Sequence, residues 1–119
     1  MGSSMILRID SSMASLMGLK VLGQSAPSVG TDTILFTAGS QTVVSTLFAA
    51  NRATNSARFS VAVVPSGETL GSKHWVYSQI LCPPNDTFAA TVGFALASGD
   101  SVVVWTNGTM SFSAFGEDQ

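Results

Sequence analysis

The sequence predicts an all-β protein, a single β-sandwich of immunoglobulin-like or jelly-roll-like type with about seven strands and an N-terminal arm. Three observations predict it. From Thr33 to Gly116, β-branched and aromatic residues cluster in short runs bounded by Gly, Pro, Asn and Asp. Turn signals recur at roughly ten-residue intervals along the same stretch. Charged residues make up only 10% of the 119 residues, against roughly 25% in ordinary soluble domains.

Residues 1–30 read as the arm and residues 31–119 as the sandwich domain. The arm mixes serines with Met1, Met5, Met13 and Met17, and Gly2, Gly18, Gly23, Pro27 and Gly30 interrupt any long periodicity. Part of the stretch from Ser11 to Lys20 fits a short helix. The apolar side chains of Met5, Ile6, Leu7, Leu16, Met17, Leu19, Val21 and Leu22 are costly to leave in water, so they are expected to pack on the body or on a neighbouring subunit.

Strands are expected over Thr33–Thr37, Gln41–Asn51, Ala57–Val64, Lys73–Ile80, Asp86–Phe94, Ser101–Thr106 and Thr109–Phe115. Alternation with period two marks one buried face on several of them: Phe59, Val61 and Val63; Phe88, Ala90, Val92 and Phe94; Met110, Phe112 and Ala114. Asn107-Gly108, between Thr106 and Thr109, is the strongest hairpin signal, because a type I′ turn needs positive φ at both central positions; it predicts that the last two strands pair. Pro65-Ser66-Gly67-Glu68, Pro83-Pro84-Asn85-Asp86 and Ala97-Ser98-Gly99-Asp100 are expected turns or tight loops.

Composition narrows the function classes. The net charge is −2, and Arg8, Lys20, Arg52, Arg58 and Lys73 are scattered, with no basic stripe for a phosphate backbone; nucleic acid is not an expected partner. No apolar run approaches the roughly 18 residues that cross a bilayer, and the opening segment reads neither as a membrane anchor nor as a signal peptide. With one cysteine and one histidine, neither an intrachain disulfide nor a Cys/His metal framework is expected. A chain this poor in surface charge is expected to be covered by partners or by copies of itself.

Any acid–base proposal must pass through His74, and no nucleophile motif accompanies it; it reads as a half-exposed strand histidine. Asp32, Asp86 and Asp100 each precede a strand, where a carboxylate accepts hydrogen bonds from backbone amides. Cys82, between Leu81 and Pro83, reads as a small packed apolar residue. Asn85-Asp86-Thr87 and Asn107-Gly108-Thr109 match the glycosylation pattern but coincide with turns. No catalytic residue, metal ligand or cofactor site is expected. Arg52 and Arg58 flank a polar loop that reads either as a soluble tip or as a protein-contact loop. Trp75, Tyr77 and Trp105 read either as core or as a stacking platform for a glycan.

Taken in order, Thr33–Thr37, Val43–Leu47 leading into Asn51-Arg52, Phe59–Val63, Lys73–Tyr77, Asn85–Phe88, Ala97–Asp100 and Ser111–Glu117 resemble a recurrent small structural protein of tailed-bacteriophage virions, as does the opening Val21–Pro27. The resemblance spans about residues 21–117 and contains no catalytic signature. It implies a non-enzymatic virion component present in many copies, partnered by other virion proteins and by copies of itself in a homo-oligomeric or symmetric assembly. Its implied place is the tail, baseplate or fibre attachment, with capsid decoration (cement) as the alternative; host-glycan binding through the aromatics Trp75, Tyr77 or Trp105 is a lower alternative of a different class. In such an assembly the arm of one subunit is expected to lie on the next, giving protein contacts through Met5, Ile6, Leu7, Leu16, Met17 and Leu19, with Arg52 and Arg58.

Overall fold

The computed structural model describes residues 19–119. The expected contacts of Met5, Ile6, Leu7, Leu16 and Met17, and the helix expected within 11–20, fall largely or wholly outside the described residues; Leu19 is exposed.

Eight strands form the body: β1 Lys20–Ser25, β2 Thr33–Thr37, β3 Thr42–Asn51, β4 Ala57–Val64, β5 Trp75–Cys82, β6 Thr87–Leu96, β7 Ser101–Thr106 and β8 Met110–Asp118. They make two antiparallel four-stranded sheets of order β1-β8-β3-β6 and β2-β7-β4-β5. The pairs β1·β8, β2·β7, β3·β6 and β4·β5 are nested like the rungs of one long hairpin, folded over so that β3·β8 and β4·β7 close each sheet. That strand order is a jelly roll, so of the two sandwich types read from the sequence the immunoglobulin-like one is set aside.

The strand pairing corrects the sequence reading at two places. The sandwich begins at Lys20, inside the stretch taken for an arm: Lys20–Ser25 pairs with β8 as an edge strand. Gly23 permits this, since a Cβ there would stand 2.6 Å from the Leu35 carbonyl oxygen and 2.8 Å from the Phe36 Cβ on the facing sheet. The last two strands do not pair with each other. β7 belongs to one sheet and β8 to the other, and Asn107-Gly108 is the crossing between them, with neither residue at positive φ. Here Asn107 accepts the Arg58 N–H through its side chain (2.8 Å), and its own N–H donates to the Arg58 carbonyl (3.1 Å).

The core lies between the sheets. Phe59, Phe112, Leu47 and Met110 are fully buried, and Phe88 and Tyr77 close over them; the Phe59–Phe88 and Tyr77–Phe88 ring centroids are 5.1 and 5.4 Å apart. The alternations read on β4 and β8 face this core. On β6 the inward positions Phe88, Ala90, Val92 and Phe94 are half-buried and their neighbours exposed. β4 is buried on both faces, because Leu70 and Trp75 pack over Ala62, Val64 and Val103 on the outside of its sheet.

At one end of the sandwich, Asn51 continues the inward register of Leu47 and Ala49 and is itself buried. Its amide nitrogen donates to the carbonyls of Asn55, Cys82 and Pro83 (2.8, 3.1 and 3.1 Å), and its side-chain oxygen accepts from Ala53 N–H (3.0 Å). Cys82 is buried beside it as a free thiol. Its Sγ lies 3.4 Å from the Asp86 carbonyl.

Candidate functional site

Two surfaces stand out, one on the outside of each sheet. On β1-β8-β3-β6 the register places Val21 opposite Phe115, Phe115 opposite Thr46, and Phe48 between Ser113 and Ala89. Phe48 and Phe115 meet edge to face with centroids 5.6 Å apart. Val21, Val43 and Phe48 remain exposed, and around them lie Thr91, Ala95, Ser111 and Ser113, all small and neutral. Glu117, opposite Val43 at one end, is the sole charged side chain that the register places on this face among the described residues. Water gains little from such a face and a flat partner gains much.

The outside of β2-β7-β4-β5 carries a cleft of about 240 Å³ lined by Asp32, Ser60, Trp75, Ser78, Gln79 and Trp105. Trp105 on β7 pairs with Ser60, and Trp75 on β5 pairs with Ala62, so the two indoles stand on either side of β4. Two bulges in β5 create this arrangement. One falls at Val76, so that Trp75 points outward while Tyr77, opposite Val61, points into the core. The other takes up Ser78 and Gln79, with Gln79 at φ 55°, an uncommon conformation for a residue with a side chain. Ser60 Oγ accepts from the Gln79 backbone N–H (2.9 Å), and Arg58 Nη1 donates to the Gln79 carbonyl (2.9 Å). Of the three aromatics read as a stacking platform, the structure thus brings together Trp75 and Trp105 and takes Tyr77 away. Arg58 is tied to the cleft margin, whereas Arg52 is exposed on the 52–56 loop.

His74 is not the half-exposed strand histidine expected. It ends a 3-10 turn, Ser72–His74, and is buried. Nδ1 accepts the Gly71 N–H (2.8 Å), which leaves the proton on Nε2, donated to Glu68 Oε1 (2.9 Å). Lys73 joins the same carboxylate at 3.1 Å. The hydrogen bond from His74, followed by that from Lys73, holds the Glu68 carboxyl below its usual range. Both ring nitrogens are therefore engaged in fastening the Pro65–His74 connection.

The aspartates divide. Asp100 accepts the Ser66 N–H and the Ala97 N–H (2.9 Å each), and these two bonds, Ser66 first, hold its carboxyl below the usual range. Asp86 accepts the Thr87 N–H at 2.8 Å. Both do what a residue before a strand was expected to do. Asp32 lines the tryptophan cleft instead. A larger recess of about 560 Å³ opens where β3 starts and β6 and β8 end, bounded in part by Glu117 and Asp118, and Asp118 is already paired with Lys20 at 3.0 Å. Among the described residues no three His, Cys, Asp or Glu side chains gather as a metal-ligand set. None of the helices described is long and apolar enough to cross a membrane.

Sequence reasoning missed Ser60, Ser78, Gln79 and Asp32 as neighbours of the indoles, and Phe48 with Phe115 as a surface pair. For Ser60 a signal was present: with Phe59 and Val61 inward, Ser60 and Ala62 must lie outward beside whatever β7 presents. Comparison with known protein families, with characterised proteins and with solved structures found no match.

Proposed function

We propose that this chain is a non-enzymatic structural component of a tailed-phage virion, present in multiple copies and working by protein–protein docking at the tail, baseplate or fibre attachment. The observation that carries the docking part is the outer face of β1-β8-β3-β6, where Val21, Val43, Phe48 and Phe115 lie among small neutral residues with a single carboxylate at the margin. The rest comes from the resemblance of residues 21–117 to small virion proteins. The jelly roll adds fold-level analogy, since it recurs in viral capsid and lectin domains.

The chain's neighbours would be copies of itself and other virion proteins, in a symmetric assembly. The test is immunogold labelling of intact particles with an antibody against residues 51–58, whose Arg52, Thr54, Asn55, Ser56 and Arg58 are exposed. Label confined to the tail or its tip is the expected result. Label over the head replaces the tail by capsid decoration, and particles that carry none of the protein overturn the virion reading.

A further inference from the structure

The cleft between Trp75 and Trp105 is chemically unlike the neutral docking face on the opposite sheet. Its walls are the two half-buried indoles on the strands either side of β4, Trp105 opposite Ser60 and Trp75 opposite Ala62, two residues further along. Each aromatic pair among the described residues joins phenylalanine to phenylalanine or tyrosine. Neither indole stacks on another ring. Trp75 covers Ala62, Val64 and Val103 with part of its surface, but Trp105 belongs to neither hydrophobic cluster. The floor and rim supply hydroxyls from Ser60 and Ser78, the Gln79 side-chain amide and the Asp32 carboxylate. Gln79 is held there by the bond from its N–H to Ser60, at a φ of 55° that residues with side chains rarely adopt.

We propose that this cleft binds the pyranose ring of a neutral sugar. The C–H face of a pyranose stacks on an indole, and its hydroxyls need acceptors and donors around the edge. A carboxylate accepts two vicinal hydroxyls at once, the Ser78 hydroxyl and the Gln79 amide serve both roles, and the Ser60 hydroxyl, which already accepts from the Gln79 backbone N–H and side-chain amide, is left to donate. A volume of about 240 Å³ is below that of sites for drug-sized ligands, which run from roughly 300 to 1,000 Å³, and it suits one ring of a longer glycan. Charge decides which sugars. Asp32 is the only charged residue lining the cleft, so an acidic sugar meets a like charge inside it, while the Arg58 cation stands outside the lining with Nη1 on the Gln79 carbonyl. This assignment stands apart from the docking reading and survives its failure.

Trp75 and Trp105 are the two tryptophans of the sequence. Tryptophan fluorescence, excited selectively over that of Tyr77, therefore reports on this cleft. Titration with glucose, galactose, mannose and N-acetylglucosamine, with N-acetylneuraminic acid as the anionic comparison, should give a saturable change for at least one neutral sugar, with Kd near the millimolar range. Asp32→Asn, on an exposed loop residue, should weaken that sugar about tenfold, and Trp105→Ala should remove the response while the circular dichroism of the fold is kept. No saturable change with any neutral sugar up to about 50 mM, a Kd that would correspond to less than about 2 kcal/mol, overturns the proposal. So does an equal response to N-acetylneuraminic acid, or an Asp32→Asn variant that binds like the parent.

Discussion

A Cβ on Gly108 would stand 2.6 Å from the Cβ of Ala57, at the point where the chain leaves one sheet for the other. Gly108 is needed for that close approach and not for its φ. The Gly108→Ala variant should therefore lose about 1–3 kcal/mol, the usual range for overpacking, measured by urea unfolding. Ala57→Gly combined with it should return part of the loss, because it removes the atom that the new methyl meets. Equal stability of Gly108→Ala and the parent would mean that the crossing has room to shift.

Asn51 fastens three carbonyls, of Asn55 in one loop and of Cys82 and Pro83 at the end of β5, with one buried amide. Asn51→Ala leaves them without a donor and should cost about 2–4 kcal/mol. Asn51→Asp should cost more than Asn51→Ala, since its carboxylate would face carbonyl oxygens in place of the amide donor. Denaturant midpoints of the two variants check the order.

Acid should weaken this domain, with Asp100 and Glu68 each contributing. Both carboxyls have folded pKa values below their unfolded ones. Each contributes stability that is fully present above the unfolded pKa and is lost as pH falls through the folded pKa. The melting temperature should be level from neutral pH down to about 5 and fall below about 4, where free carboxyls take up protons. Asp100→Asn should melt lower at neutral pH and show a shallower acid decline, since the group that titrates is gone.

Phe48 keeps only 36% of its surface exposed, so Phe48→Glu should cost the isolated domain about 1–2 kcal/mol, from the covered part of the ring and its edge-to-face contact with Phe115. If the outer face of its sheet docks in a particle, the same variant should lower incorporation at least tenfold, equivalent to about 1.4 kcal/mol. Unchanged incorporation would move the contact elsewhere on the molecule.

The buried thiol of Cys82 should react with dithionitrobenzoate at least about a hundredfold more slowly in the native protein than in urea, because reaction requires the Asn51 end of the sandwich to open. Asn51→Ala should speed it.

The strands themselves were legible, because a run such as Phe59-Ser60-Val61-Ala62-Val63 can bury one face only when extended. Their partners were not. Asn107-Gly108 carries the local chemistry of a hairpin, yet Val102 and Val104 before it and Phe112 and Ala114 after it all need the same interior, and two opposed sheets satisfy both sets at once. β1 was hidden because Lys20–Ser25 is a short edge strand interrupted by Gly23, whose value lies in contacts with distant Leu35 and Phe36. The tryptophan cleft was half legible. The aromatic residue types suggested a platform, but Trp75-Val76-Tyr77 reads as plain alternation, and only the bulge at Val76, imposed by pairing with β4, sends the two rings to opposite faces.

The nested strand order also governs how fast this chain can fold. Of the strands that follow one another in sequence, only β4 and β5 are paired; each other pairing joins segments far apart in the chain, out to Lys20 with Gly116. Topologies of such high contact order fold in roughly milliseconds to seconds, because loop closure precedes the contacts that reward it. β6, ten residues without a charge, ends its sheet and so leaves one edge unpaired even in the folded domain. Productive folding and self-association therefore compete from the moment of synthesis, and conditions that keep the unfolded chains dilute should raise the yield of soluble protein.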